Sequence, residues 1–310
     1  MKIAIIGPGA MGLFFAVRLQ GGGQEVWLLD YRPERCARLQ RHGISLVSLE
    51  GLESRFALNV ADDPQDIGTC DLVLVMVKAH QTEAVSPCLP CLLRPEGVAL
   101  TLQNGIGNLE SMAAALGPER LLAGVTMLGV TKMDVGRIRH AGQGPVLIGQ
   151  PPGSQVTAVE LTAIIAALRQ AGLDCQAAPD IITVLWDKLL INVGINPVTA
   201  LTRLRNGQLM IVPEAWRVVA AAVQEAWEVA MAAGLNPSAD PLARVRRVCE
   251  ATAANRSSML QDILARRRTE IDAINGQIVL QGREFGLTTP VNALLTDLIK
   301  SLESGLTGGD

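Results

Sequence analysis

The first half of the chain alternates apolar runs of strand length with apolar-periodic stretches of helix length. Residues 2–6 read as a buried strand, followed by Gly7-Pro8-Gly9-Ala10-Met11-Gly12 and an apolar helix reaching residue 19. Gly21-Gly22-Gly23 closes that helix, residues 25–29 form a second strand, and residues 33–41 a second helix. Two alternating segments, 44–48 and 55–59, joined through Gly51, predict a hairpin. Residues 71–77 and 97–102 are continuous apolar runs of the kind that parallel strands show when both faces are covered. Residues 121–130 and 144–148 add β material, and a helix over 156–171 with a strand near 174–178 completes the half. Strands alternating with helices predict right-handed crossovers and a parallel sheet.

After Pro179 the pattern changes to long apolar-periodic helices, over 181–195, 213–233, 242–253, 258–266, 269–285 and 291–302, with a tail over 304–310 that is expected to fray. The chain thus predicts an α/β architecture with a Rossmann-type domain over residues 1–179 and an all-helical domain over 180–310.

Composition agrees with two packed domains. At about 150 residues per domain, a chain of 310 residues holds two. Hydrophobic residues at 49% and charged residues at 18% exclude a disordered chain. A net charge of −3 and 3% aromatics give neither a basic footprint nor stacking platforms, which argues against a nucleic-acid partner. The most apolar segment, 184–201, carries Asp187, Lys188, Asn192 and Asn196 and reads as core, so no membrane partner and a cytoplasmic location are expected. The six cysteines read as reduced thiols filling space. Cys88-Leu89-Pro90-Cys91 has redox spacing but sits among prolines, and His42, His80 and His140 form no metal-ligand cluster, so no metal is expected.

Two places carry chemistry. The Gly-x-Gly-x-x-Gly string follows a predicted strand and opens a helix inside a βαβ unit, the context in which it binds dinucleotides. Gly7 would permit the tight turn, Gly9 would leave room for a pyrophosphate, and Gly12 would let the helix approach the sheet. Flavin and nicotinamide dinucleotides share this fingerprint. Asp30, at the end of the second strand, would accept from a ribose 2′-hydroxyl and favour NAD(H), whereas Arg32 would clamp a 2′-phosphate and favour NADP(H). Asp30 would equally serve as a cap for the helix after Pro33.

The second place is the run from Trp186 to Asn196, where every residue between Lys188, Asn192 and Asn196 is apolar or glycine. A spacing of four advances about 400° per step, which puts the three side chains within an arc of roughly 80°. Such a stripe on a buried helix either satisfies itself or lines a cleft for a polar ligand, and a lysine there favours the cleft. Pro197 disfavours helical geometry at Asn196 and would let the third side chain diverge. Ser258 with Gln261 fits a capping box, and Glu270, beside Arg266, Arg267 and Arg268, reads in isolation as a surface ion-pair member.

Taken in order, several short pieces resemble the ketopantoate reductase (2-dehydropantoate 2-reductase) family over essentially the whole chain. They are Gly7-Pro8-Gly9-Ala10-Met11-Gly12, Val77-Lys78, Gln103-Asn104-Gly105, Lys188-Leu189-Leu190-Ile191-Asn192, Asn196-Pro197-Val198-Thr199-Ala200, Ser257 to Asp262, Thr269-Glu270-Ile271-Asp272 and Ile274-Asn275-Gly276. The resemblance implies a Rossmann domain followed by a helical domain of the 6-phosphogluconate dehydrogenase-like kind, and NADPH-dependent reduction of ketopantoate to (R)-pantoate in pantothenate and coenzyme A synthesis. By position it makes Lys188 the general acid and Glu270 its partner, with Asn104, Asn192, Asn196 and Ser258 on the substrate. Gly7 to Gly12, Arg32, Lys78 and Asn104 would lie against the cofactor. Helical second domains of this kind often pair, so the expectation extends to a homodimer. The rival readings are a reductase of another 2-oxo acid, a 3-hydroxyacid or opine-type dehydrogenase on the same scaffold, and a dinucleotide sensor without catalysis.

Overall fold

The computed structural model describes residues 1–307, and the chain falls into two units. One comprises Met1–Gln103 with Asn108–Ile181; the other comprises Ile182 onward together with the short segment Asn104–Gly107.

The first unit holds twelve strands: β1 (Lys2–Ile6), β2 (Glu25–Leu29), β3 (Ile44–Val47), β4 (Glu53–Phe56), β5 (Asn59–Ala61), β6 (Cys70–Val75), β7 (Leu93–Thr101), β8 (Leu121–Thr126), β9 (Gly129–Asp134), β10 (Arg137–Gly142), β11 (Val146–Gly149) and β12 (Cys175–Ala177). Eight of them form one sheet in the order β12-β11-β8-β7-β6-β1-β2-β5. The period of two along each strand sorts its side chains between two cores. Ile3, Ile5, Leu72, Leu74, Val98 and Leu100 meet Phe14 and Phe15 of the Ala10–Gly21 helix on one face. Ala4, Ile6, Val73, Val75 and Ala99 meet Leu89, Leu92 and Met112 on the other. That two-sided burial is why these strands read as unbroken apolar runs rather than alternating ones.

The sheet departs from the all-parallel expectation at β11, which pairs antiparallel with β8. The β material expected over 121–130 is divided between β8, which ends at Thr126, and the start of the β9–β10 hairpin. With β3 and β4 this hairpin forms a separate four-stranded sheet, β4-β3-β10-β9. Ile44 and Ile138 bury against the same core as Phe14 and Phe15, and the His140 ring lies 4.8 Å from that of Phe14. The expected hairpin around Gly51 is present as β3 and β4, but residues 59–61 leave it to pair as β5 with β2 of the large sheet.

The second unit is helical: Ile181–Thr202, Pro213–Ala232, Pro241–Ala251, Ser258–Leu264, Asn275–Glu284 and Pro290–Thr307. Leu189, Leu190 and Val193 pack with Val219, Val223, Ala226, Ile278 and Ile299. The Ile181–Thr202 helix has the length and apolarity to cross a membrane, with a mean hydropathy of 1.3, and most of it is buried inside the protein.

Three boundaries differ from expectation for physical reasons. The long helix continues through Pro197 to Thr202. Proline lacks the N–H that would bond the Val193 carbonyl one turn earlier, and the Asn275 side-chain amide donates to that carbonyl instead, at 3.1 Å. The helix expected over 269–285 is broken: a short 3₁₀ turn, Ile271–Ala273, precedes a non-helical Ile274, and the Ala273 carbonyl accepts from the Ile106 N–H at 3.0 Å. The last helix runs on to Thr307, so residues 304–307 do not form the expected frayed tail; residues 308–310 of that expectation lie outside the described residues.

Candidate functional site

In the first unit the glycine-rich turn joins β1 to the Ala10–Gly21 helix. Gly7 takes a φ of +105°, and its N–H donates to the Leu29 carbonyl, which ties the turn to the end of β2. A Cβ on Gly12 would stand 2.1 Å from the Gly7 carbonyl oxygen, so only glycine lets the helix start this close to the strand. A Cβ on Gly9 would meet nothing within 4 Å. The helix start has no side-chain cap and no acidic residue in its first turn. Its amides and the positive end of its dipole therefore suit a diphosphate at the open side of Gly9. These residues fit a dinucleotide.

The acidic residue after β2 is engaged by the protein itself. Asp30 is 1% exposed, and the Arg35 guanidinium, in the first turn of the Pro33–His42 helix, grips both of its carboxylate oxygens. The Arg32 N–H also donates to Asp30 Oδ1, at 3.2 Å. The carboxylate raises the pKa of Arg35 above its ordinary value, chiefly by accepting its hydrogen bonds. Asp30 is not the cap of that helix, because Arg32 holds the capping position and no side chain caps it. Outside this pair stand Tyr31, 55% exposed, and the exposed Arg32, whose Nε donates to the Tyr31 hydroxyl at 3.2 Å. The Gln81 side chain donates to the same hydroxyl at 3.1 Å.

Lys78 is half-buried just beyond β6, where a buried polar network shapes the chain. Gln103 Nε2 donates to the Val77 carbonyl and to the Thr82 hydroxyl, both at 2.8 Å, while Gln103 Oε1 accepts from Thr101. The Thr82 hydroxyl donates in turn to Asn108 Oδ1 at 2.9 Å. No sequence pattern assigns Gln103 this task; its place between a strand end and Asn104 is the one signal for it.

The second unit gathers residues far apart in sequence. Asn104 Nδ2 donates to Glu270 Oε2 at 3.1 Å. The approach is close: Gly105 has a φ of +78°, and a Cβ there would lie 2.3 Å from the Ala273 carbonyl. Glu270 is 6% exposed, which removes the surface ion-pair reading. The neighbouring arginines look elsewhere, Arg267 to Asp262 and Arg268 to Asp272. Lys188 is half-buried on the long helix. Burial pushes its ammonium down to about 8, against an opposing upward pull from the Glu270 carboxylate.

Farther along the same stripe, Asn192 is half-buried and Asn196 is 4% exposed, and the Asn196 Nδ2 has no hydrogen-bond partner among the described residues. Because the helix does not stop at Pro197, the three side chains keep a common face. The Asn196 end is tied to the next polar cluster by the Thr199 hydroxyl, which donates to Ser257 Oγ at 2.7 Å. Ser257, not Ser258, caps the Ser258–Leu264 helix by accepting from the Leu260 N–H; Gln261 turns back to the Arg256 carbonyl. Ser258 is thereby released from the capping duty and is exposed.

The thiols offer no comparable grouping. Cys36, Cys70, Cys175 and Cys249 are buried filler, whereas Cys91 is exposed. Burial pushes the Cys88 thiol up to about 11, and its sulfur donates to the Val85 carbonyl. A thiol so rarely ionised is a poor redox nucleophile.

The family model for "Ketopantoate reductase PanE/ApbA" matches residues 3–153, and that for "Ketopantoate reductase PanE/ApbA C terminal" matches residues 180–303. The 2-dehydropantoate 2-reductase of Archaeoglobus fulgidus is 35% identical over 305 residues, covering 98% of this chain and 99% of its own. A PanE/ApbA family ketopantoate reductase from Ralstonia eutropha superposes with a TM-score of 0.89 at 28% identity, over 99% of this chain and 100% of that one. The ternary structure of D-mandelate dehydrogenase with NADH and anilino(oxo)acetate superposes with a TM-score of 0.90, also at 28% identity and over 99% of both chains.

Proposed function

Since the chain belongs to the ketopantoate reductase family, we propose that it reduces ketopantoate to (R)-pantoate, with Lys188 as general acid and a nicotinamide dinucleotide held at the glycine-rich turn. The observation that carries this reading is the grouping of Lys188, Glu270 and Asn104 beside the apolar core of the helical unit.

A bound nicotinamide supplies the hydride that the ketone carbon accepts. The charge then develops on the ketone oxygen, and the task of the chain is to stabilise and protonate it. An ammonium with a pKa near 8 is mostly charged at neutral pH and yields its proton more readily than an ordinary lysine. Glu270 keeps that ammonium charged in its buried setting, and Asn104 fixes one Glu270 oxygen. The buried Asn196 amide has a donor to give to a substrate oxygen, and Asn192 and Ser258 offer further donors and acceptors for a hydroxyl and a carboxylate.

NADPH is the favoured form of the cofactor. Asp30 has both oxygens engaged by Arg35 and so opposes a 2′-phosphate far less than a bare carboxylate would, while Arg32 stands exposed beside it. Lys78, shaped by Gln103, belongs with the dinucleotide-binding unit. The setting we assign is cytoplasmic, with a small-molecule substrate.

The test is the loss of reduced-nicotinamide absorbance with ketopantoate, run in parallel with NADPH and NADH. Faster oxidation of NADPH supports the whole reading, and faster oxidation of NADH overturns the cofactor preference alone. No turnover with either removes ketopantoate as substrate, and a panel of other 2-oxo acids then replaces it.

A further inference from the structure

Pro197 sits inside the long helix and leaves the Val193 carbonyl without its backbone donor, in a stretch where Val193 is fully buried. Left unpaired in that setting, the carbonyl would be destabilising. Asn275 Nδ2 fills the role at 3.1 Å and also donates to Asn292 Oδ1 at 2.9 Å. Asn292 is anchored in turn, its own amide donating to the Ala222 carbonyl and to Glu225. Glu225 closes the chain of bonds by accepting from the Val291 and Asn292 N–H groups. Asn275 and Asn292 are both fully buried.

The position of the bond matters more than its strength. Val193 lies between Asn192 and Asn196 and five residues from Lys188, while Asn275 lies five residues beyond Glu270, just past the break at Ile274. One side chain therefore connects the stripe-bearing helix to the segment that carries the carboxylate.

We propose that Asn275 is a positioning residue for proton donation, replacing the N–H that Pro197 lacks and holding the Lys188–Asn192–Asn196 stripe in register with Glu270. The proposal rests on the reductase reading for its kinetic consequence, and its geometry stands independently of the substrate. Loss of the bond frees the turn between Asn192 and Asn196 and relaxes the packing around Lys188. Small displacements of a positioned group cost up to about 100-fold in rate.

The experiment compares Asn275→Ala, Pro197→Ala and the double variant with the native chain. Two readouts are taken: kcat and KM for ketopantoate, and the pH midpoint for amine labelling of Lys188, followed by peptide mass spectrometry. Asn275→Ala is expected to lower kcat/KM by roughly 10- to 100-fold and to shift the Lys188 midpoint from its native value, because both the burial of the ammonium and the upward pull of Glu270 depend on that register. In the Pro197→Ala background the restored backbone N–H takes over the Val193 carbonyl, so the same substitution is expected to cost several-fold less and to move the midpoint less. Equal costs in both backgrounds would overturn the proposal, as would a lowered Tm with kcat, KM and midpoint unchanged. If Asn275→Ala does not fold, Asn275→Leu keeps a similar volume without the donor and without a buried charge, and the same comparison applies. Should the native chain fail to turn over ketopantoate, the substrate reading fails while the labelling midpoints still decide the role of Asn275.

Discussion

The glycine-rich turn and the Lys188–Glu270 grouping are built on opposite plans. The turn is made of backbone: one stretch of six residues, Gly7 to Gly12, sets a positive φ, a close helix start and an open side for a diphosphate. The second grouping is made of side chains brought from residues 104, 188–196 and 270, and it depends on bonds that no local spacing reveals. A backbone site tolerates almost no added atom, whereas a side-chain site tolerates changes of shape but not of charge or of donor. Substitutions that separate these two sensitivities put the comparison to the test.

The largest effect is expected at the side-chain site. Lys188→Ala should lower kcat by about 10²- to 10⁴-fold, the usual contribution of a positioned acid, with dinucleotide affinity by fluorescence titration unchanged. Unchanged turnover in the folded variant would remove Lys188 from the mechanism. At the backbone site, Gly12→Ala forces a Cβ against the Gly7 carbonyl. Overpacking of this kind costs about 1–3 kcal/mol, and it should appear as a weaker dinucleotide affinity and a lower Tm. A variant that keeps both would show that the turn can give where the structure leaves no room.

The pH dependence probes the same grouping more finely. Only the charged Lys188 can donate a proton, so kcat/KM for reduction should be level below about pH 8 and fall about tenfold per pH unit above it. Glu270 pulls the lysine upward, so Glu270→Gln should shift this limb to lower pH and reduce the rate at neutrality. A limb that stays in place would mean that Glu270 acts on the substrate rather than on the lysine.

How far each region was legible follows from how it is built. The turn could be read because strand, glycines and helix are contiguous, and the long stripe because a spacing of four has one meaning on a helix. Ser258 reads as a cap in the sequence because Ser257 and Ser258 offer the same hydroxyl one residue apart, and only the Leu260 N–H chooses between them. The helix end expected at Ile195 is overridden by Asn275, 78 residues beyond Pro197, and the continuous helix expected over 269–285 is broken at Ile274, where Ile106 approaches Ala273. The β9–β10 hairpin lay in a stretch with too few apolar positions to announce a strand, and its pairing with β3 supplies what the sequence pattern lacks. Glu270 reads in sequence as a surface charge among three arginines, but Asp262 and Asp272, which no local spacing points to, take two of them.

The smallest effect, and the finest discrimination, concerns Asp30, where a side-chain pair borders the backbone site. Arg35→Ala would leave a carboxylate that is 1% exposed without its cation, beside the place where a 2′-phosphate would rest. The expected result is a weaker NADPH affinity, by about tenfold for a lost charge pair worth some 1.4 kcal/mol, with NADH affinity unchanged. Asp30→Asn in the same chain should then recover most of the NADPH affinity, because the carboxamide carries no charge for the phosphate to oppose. Fluorescence titration with both dinucleotides decides it. If NADPH and NADH weaken together and Asp30→Asn restores neither, the pair only shapes the turn after β2 and the cofactor preference is set by Arg32.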